Sequence, residues 1–367
     1  MATVLAMHMA NELLSLPMAA ATLVLAALAV GLAAWLAQRR LHNDRYALLG
    51  VLGAFIFAAQ MINFTLPLMP GTSGHLCGAV LLAILLGPWA AIVAMTAILI
   101  VQCLIFQDGG LLALGCNIIN MGVVPALAGW ATYRVLGGGR PAASPARQYL
   151  AAWAACTLAV PAGAALVPLE AHLSGVLRVP VSDFLLVMLG VHLLIGLIEG
   201  AITFAVVAFL RQVRPALLGL EPASERARLG RLPVAGTLLA TALLLAGVAS
   251  GFASTHPDGL EWSYKQHQYA GAERTIAAPS PPVARVEAWQ SRWTPLKDYT
   301  RRAAPLGQEP APPVADAPPP AAEAAAWPNL DGWSSLAGLL GTGATLAVLY
   351  VATATLRRRP LGAAEPK

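Results

Sequence analysis

The residues of this chain best suited to chemistry are a few histidines, and the first sits in Met7-His8-Met9-Ala10-Asn11-Glu12-Leu13-Leu14-Ser15. Imidazole nitrogen suits Ni(II), Cu(II), Co(II) and Zn(II). A histidine beside a free chain terminus offers more. The amine, the intervening amide nitrogen and the imidazole form fused chelate rings in one plane, which suits a metal that accepts square-planar nitrogen ligands, as Ni(II) and Cu(II) do. Metal must displace protons from such ligands, so binding through them weakens as pH falls. The plainer reading of His8 is a solvated tail residue.

A second histidine ends the segment Asn63-Phe64-Thr65-Leu66-Pro67-Leu68-Met69-Pro70-Gly71-Thr72-Ser73-Gly74-His75. Its Pro and Gly content suits irregular backbone dipping into a protein interior. By spacing alone, His75 is either a metal ligand or a helix-start histidine bonded to a loop carbonyl. A further loop, Gln107-Asp108-Gly109-Gly110, precedes Asn117 and Asn120, which share a helix face three residues apart. These two either pack helices together or hold a loop over a site. His192 and Glu199 lie seven apart and project from one helix face. They pair with neighbouring helices or relay protons. Cys77, Cys103, Cys116 and Cys156 form no CxxC pair and read as small buried side chains. The chain has no GxxxxGK[ST] phosphate loop, no HExxH and no GxSxG. It therefore lacks that route to ATP hydrolysis and the signatures of a zinc protease or serine hydrolase. No enzymatic constellation is evident.

The elements that position these residues belong to a membrane protein. Of 367 residues, 57% are hydrophobic and 11% charged, and the mean hydropathy is +0.66. A soluble domain carries roughly 25% charged residues. The net charge of +5 is no signal for nucleic acid here, because Lys and Arg placement in a membrane protein reports orientation. The run 15–37 has no Lys or Arg before it and is followed by Arg39, Arg40 and Arg45, so it reads as a true span rather than a signal peptide. Further runs cover 46–66, 76–87, 88–106, 116–137, 149–167, 183–210, 234–252 and 333–356. Gly87-Pro88 divides the stretch 76–106 into two short helices, since Pro removes a donor and disfavours helix before it; the alternative is one kinked helix. Nine crossings starting outside put Arg134/Arg140/Arg147, Arg211/Arg214/Arg226/Arg228/Arg231 and Arg357–Arg359 in cytoplasmic segments, with Arg178 alone in the first outer loops. The expected fold is an all-α polytopic membrane bundle in the lipid bilayer, N-terminus outside and C-terminus inside. Near residue 230 a second unit begins, with one span, an outward polar segment and a last span. Residues 277–328 are rich in Pro and Ala, which predicts an extended, poorly packed linker.

Several motifs resemble the CbiM/NikM family, the substrate-binding components of nickel and cobalt energy-coupling-factor transporters. They are the opening Met7–Ser15, Ile62-Asn63-Phe64, Gly71–Leu76, Ile84–Ala90, Asp108-Gly109-Gly110, Leu114–Gly122 and His192–Gly200. Phe252–Trp262, with its Pro257-Asp258-Gly259-Leu260-Glu261, resembles the PDGLE segment of the small partner subunit, often fused to the first. The resemblance implies a seven-helix metal-binding unit over 7–212 and a two-helix unit over 230–360. It implies metal ligation by the amine of Met7, the backbone nitrogen and side chain of His8, and the loop His75. It also implies partners, a membrane coupling subunit and a cytoplasmic ATPase pair, with Ni(II) or Co(II) as transported substrate and no resident cofactor. Bacterial inner-membrane residence follows. The small residues Ala29, Ala33 and Ala37, and Gly50, Ala54 and Ala58, either dock a partner or pack within the bundle. A different class, an ion-coupled secondary permease, would use His192 and Glu199 for protons. His256, Glu261 and His267 either pass metal to the site or belong to a solvated linker.

Six residues precede Met7, and a chelate through the Met7 amine requires that the functional chain begin there. The intact mass of protein purified from transporting cells is expected to match a chain starting at Met7. Retention of Met1–Ala6 in active protein would remove the amine from the ligand set.

Overall fold

A computed structural model describes residues 8–41, 45–140, 143–218, 231–254, 256–299 and 332–356. Met7, Arg226, Arg228, Arg357–Arg359 and most of the Pro/Ala-rich segment lie outside the described residues. The principal helices are α1 (Leu16–Arg40), α2 (Tyr46–Gln60), α3 (Ala79–Leu86), α4 (Pro88–Phe106), α5 (Leu114–Val135), α6 (Pro145–Leu173), α7 (Val181–Val213), α8 (Arg231–Gly247), α9 (Pro281–Trp293) and α10 (Trp333–Leu356). Among the described residues the only ladder is a small antiparallel hairpin, β1 (Phe64–Thr65) with β2 (Ser73–Gly74).

Six helices, α1, α4, α5, α6, α7 and α10, are long and apolar enough to cross a membrane, and α2 and α8 carry shorter apolar stretches. Large side chains on the outer face of α1, such as Leu23, Leu25, Leu28 and Leu32, are exposed, as lipid contact requires. The chain is a polytopic helical membrane protein. The stretch 76–106 is two helices, as the sequence predicts. Gly87 at φ +87° breaks the run, and Pro88 opens α4. At eight residues, α3 is about 12 Å long and cannot cross a hydrocarbon core of about 30 Å by itself. With the non-helical residues 75–78 before it, it runs from His75 to the end where Arg45 bonds Leu85 O, buried against α4, α5 and α6.

The second unit packs on the first. Helices α8 and α10 both lie against α2. Leu346 and Leu349 of α10 meet Gly50 and Gly53, and Ala58 packs with Ala242 and Ala246 of α8. Ala33 and Ala37 of α1 are in the main core. The small-residue faces of α1 and α2 thus serve packing within the chain.

The Pro/Ala-rich linker needs correction for its first part. Pro281 and Pro282 fall in the first turn of α9, where a missing N–H costs nothing. From Val283 to Trp293 no proline interrupts the helix, and it docks on the N-terminal segment.

Arginines gather at one end of the bundle. Arg45 Nη1 donates to Leu85 O at 2.9 Å, and Arg211 Nη1 to Gln148 Oε1 at 2.7 Å. Arg39 and Arg40 end α1, whose other end adjoins the segment carrying His8. With 25 residues, α1 separates these ends by about 37 Å.

Candidate metal centre

The N-terminal segment is folded into the bundle rather than solvated: His8, Met9 and Asn11 are all buried. Its backbone is held from two sides. Met9 N donates to Asn117 Oδ1 at 2.9 Å, and Asn117 Nδ2 returns a bond to Met9 O at 3.1 Å. Gly110 N also donates to Met9 O, at 3.0 Å. Asn11 Oδ1 accepts from Leu112 N at 2.8 Å. Its amide donates to Glu287 and, at 3.0 Å, to Gln290 Oε1, both on α9. Asn117 therefore holds a segment over a site, whereas Asn120 packs helices, donating to Glu170 Oε2 at 2.7 Å.

Such close docking depends on two glycines. Gly109 has φ +96°, and a Cβ there would lie 3.0 Å from His8 Cβ; one at Gly110 would lie 2.4 Å from Asn11 N. Asp108, just before them, follows a π-helical turn, Gln102–Phe106, that closes on Gln107 at φ +55°. That turn aims the carboxylate at the histidine. His8 Nδ1 lies 2.7 Å from Asp108 Oδ1, and the Tyr299 hydroxyl donates to Asp108 Oδ2 at 2.6 Å. His8 Nε2 is buried with no hydrogen-bond partner among the described residues. Burial alone would raise the Asp108 carboxyl, but the charge and hydrogen bond of His8, helped by Tyr299, hold it below the ordinary carboxylate range.

His75 faces His8 with ring centroids 5.5 Å apart and planes inclined by 58°. The turn after it is over-determined. Glu199, on α7, accepts Cys77 N at 2.7 Å and Gly78 N at 3.0 Å. Gln60 Nε2 donates to Cys77 O at 2.7 Å, and Gln102 Nε2 donates to Gln60 Oε1 at 2.8 Å. Glu199 thus satisfies backbone donors at the start of α3 that would otherwise be orphaned. Burial, then the neighbouring His8, pulls the His75 imidazole down to about 3, so it is neutral, with a free lone pair, at any working pH.

A cavity of about 60 Å³ opens beside the two rings, lined among others by Cys77, Asn117, Asn120, Met121, Met188 and His192. His192 Nδ1 is 2.8 Å from Met188 O, which places its proton there and leaves Nε2 as an acceptor. Among the described residues no group of three or more His, Cys, Asp and Glu side chains is arranged to hold a metal ion.

The second unit reaches this centre through residues that the sequence reading passed over. Ser73 N donates to Pro257 O at 2.8 Å, and Ser73 Oγ to His256 O at 2.8 Å. Asp258 then bridges beside Ser73, with its Oδ2 3.5 Å from His75 Nδ1. Burial pushes the Asp258 carboxyl well above its ordinary range, whereas an N–H donated to it favours the charged form. Of the three residues considered as metal carriers, His256 is exposed, Glu261 pairs with Lys265 at 3.4 Å, and His267 stacks near Trp262 and Tyr269. None of the three lines the cavity beside His8 and His75. Residues 256–299 are a packed cap rather than a solvated linker.

The chain is a helical membrane bundle that buries two facing imidazoles at one end. The family model described as "Cobalt uptake substrate-specific transmembrane region" matches residues 8–217, and the chain belongs to that family. The PDGLE domain matches residues 233–358. A protein of Haloquadratum walsbyi named for metal transport is 38% identical, over 52% of this chain and 84% of its own length. The fused nickel transport protein NikMN of Rhodobacter capsulatus is 30% identical, over 74% of this chain and 82% of its own length. A crystal structure of a truncated transition metal transporter is 29% identical with a TM-score of 0.46, covering 56% of this chain and 98% of that one. Proteins of this family transport metal and are not enzymes.

Two outcomes check this geometry. Gly110→Ala places a methyl inside the contact distance of Asn11 and is expected to expel the N-terminal segment. Limited proteolysis should then cut before Leu16, where the unaltered protein resists. Glu199→Ala leaves two buried N–H groups unpaired, at about 1–3 kcal/mol each, and a fall in Tm without loss of helix is expected.

Proposed function

We propose that this chain captures Ni(II) or Co(II) from the outer side of a bacterial inner membrane, as the substrate-specific component of an ATP-driven importer. The observation that carries the reading is the meeting of His8 and His75, 67 positions apart in the chain, as buried facing rings 5.5 Å apart at one end of a membrane bundle. The ligands are the Met7 amine, the His8 amide and imidazole nitrogens, and the His75 imidazole. Residues 7–212 form the metal-binding unit and 230–360 the unit that caps it. The chain carries no phosphate loop of its own, so a cytoplasmic ATPase pair, acting through a membrane coupling subunit, supplies the energy. The arginine-rich end is cytoplasmic by the positive-inside rule, which leaves the histidine end, and the N-terminus, outside; the C-terminus is inside.

Closing a chelate ring through the His8 amide uses Nδ1. In the structure that nitrogen lies 2.7 Å from Asp108 Oδ1. Chelation therefore turns the ring, so that the Nε2–H takes over the carboxylate. Square-planar nitrogen ligation leans towards Ni(II).

An ion-coupled carrier is the competing mechanism, with His192 and Glu199 moving protons. Both oxygens of Glu199 are taken by backbone N–H groups, which favours the structural role. Uptake by the chain alone, driven by a proton gradient without an ATPase, would support the carrier instead.

Purified protein should bind Ni(II) with an affinity that falls as pH falls. His75, already neutral down to about 3, contributes no proton release between pH 5 and 8, so the dependence belongs to the other ligands. His75→Ala should weaken Ni(II) binding by more than tenfold while leaving this pH dependence in place. Unchanged affinity in His75→Ala would remove His75 from the ligand set.

A further inference from the structure

The carboxylate facing each histidine comes from a different unit of the chain. Asp108 serves His8 from within the metal-binding unit. Asp258 faces His75 from the second unit, and several contacts fix it there. The backbone of 256–258 runs beside β2, with Ser73 N donating to Pro257 O and Ser73 Oγ to His256 O. The bridge of Ser73 with Asp258 sets the register two residues before His75. Asp258 itself is buried, and its Oδ1 accepts Glu261 N at 2.9 Å, capping the helical turn that follows. The other oxygen faces His75 Nδ1, which is buried without a hydrogen bond of its own among the described residues. Their separation is 3.5 Å, and a shift of a few tenths of an ångström closes it to hydrogen-bond length.

We infer that Asp258 is a positioning residue of the metal centre: it accepts the Nδ1–H of His75 and so presents Nε2 to the metal. The inference rests on the reading of His75 as a ligand. An imidazole has two nitrogens, and the partner of one decides which lone pair the other offers. Carboxylates behind metal-bound histidines set the tautomer, hold the ring and raise its basicity, and their loss costs about 10–100-fold in metal affinity. The second unit thereby contributes to metal binding directly, through one oxygen atom, besides covering the site.

Asparagine at position 258 tests this sharply. Asn caps a helix start as well as Asp does, so Asp258→Asn keeps the bond from Glu261 N. It also turns an NH₂ donor towards His75 Nδ1. That donor selects the opposite tautomer and puts the ring proton on Nε2. Full-length protein carrying Asp258→Asn, His75→Ala or both is titrated with Ni(II), with the d–d absorption band recorded and Tm measured. Asp258→Asn should bind Ni(II) about 10–100-fold more weakly, with a shifted band and little change in Tm. In the His75→Ala background the same substitution should have no further effect, because its action passes through His75. Wild-type affinity and band in Asp258→Asn, alongside weakened binding in His75→Ala, would overturn the inference and leave the ligand reading standing. Equal losses from Asp258→Asn with and without His75 would overturn it too, by showing a general structural effect. Wild-type binding in His75→Ala would overturn both. Should Asp258→Asn fail to fold, Ser73→Ala, which removes only the hydroxyl bond to 256–258, should give a smaller loss of affinity that again vanishes without His75, and an equal loss without His75 would overturn the inference.

Discussion

A buried imidazole and a buried carboxylate each lose the water that solvated them, and in an apolar bundle only another polar group can replace it. The pairing of His8 with Asp108 answers that requirement, and much of the outer end of the molecule follows from it. To bring the two together, the segment before α1 must enter the bundle. Gly109 and Gly110 make room for it, and Asn117 bonds both its N–H and its C=O. Tyr299 takes the second oxygen of Asp108. Nε2 of His8 has no hydrogen-bond partner among the described residues and lies beside a second imidazole and a small cavity.

The same logic joins the two units. Buried polar groups of the metal-binding unit find partners in residues 256–299: Ser73 with the carbonyls of His256 and Pro257, Asn11 and Gln107 with α9, Asp108 with Tyr299. Helices α8 and α10 anchor this cap through α2, whose small residues let them approach closely. Metal capture on this account is coupled to the position of the cap, because the groups that orient the histidines are divided between the two units. The opposite end carries Arg39, Arg40, Arg45 and Arg211.

Membrane class, the positions of the long apolar helices and the break at Gly87 were legible in the sequence, because long apolar runs and a Gly-Pro step act locally; the nine crossings were not, since six of the described helices are of spanning length. The histidines were legible as candidates, but their meeting was not, since it depends on contacts across more than sixty residues of chain. Asp108 and Asp258 both stood inside quoted motifs without a role, because a carboxylate that orients a ligand has no spacing signature. Gln60 and Gln102 were findable as polar groups at membrane depth and were passed over. In the region 277–299 the position of proline outweighs its content: Pro281 and Pro282 start a helix rather than prevent one. Glu199 carried a weak signal, which the structure resolves as a cap for the start of α3.

Metal capture as proposed requires the metal to sit between His8 and His75 in a shell of nitrogens. X-ray absorption at the nickel edge, on the full chain loaded with one equivalent of Ni(II), tests it most directly. A planar first shell of four nitrogens is expected, with outer-shell scattering from two imidazoles and no sulfur at bonding distance. Cys77 and Met121 line the adjoining cavity, so sulfur in the first shell, or scattering from fewer than two imidazoles, would contradict it.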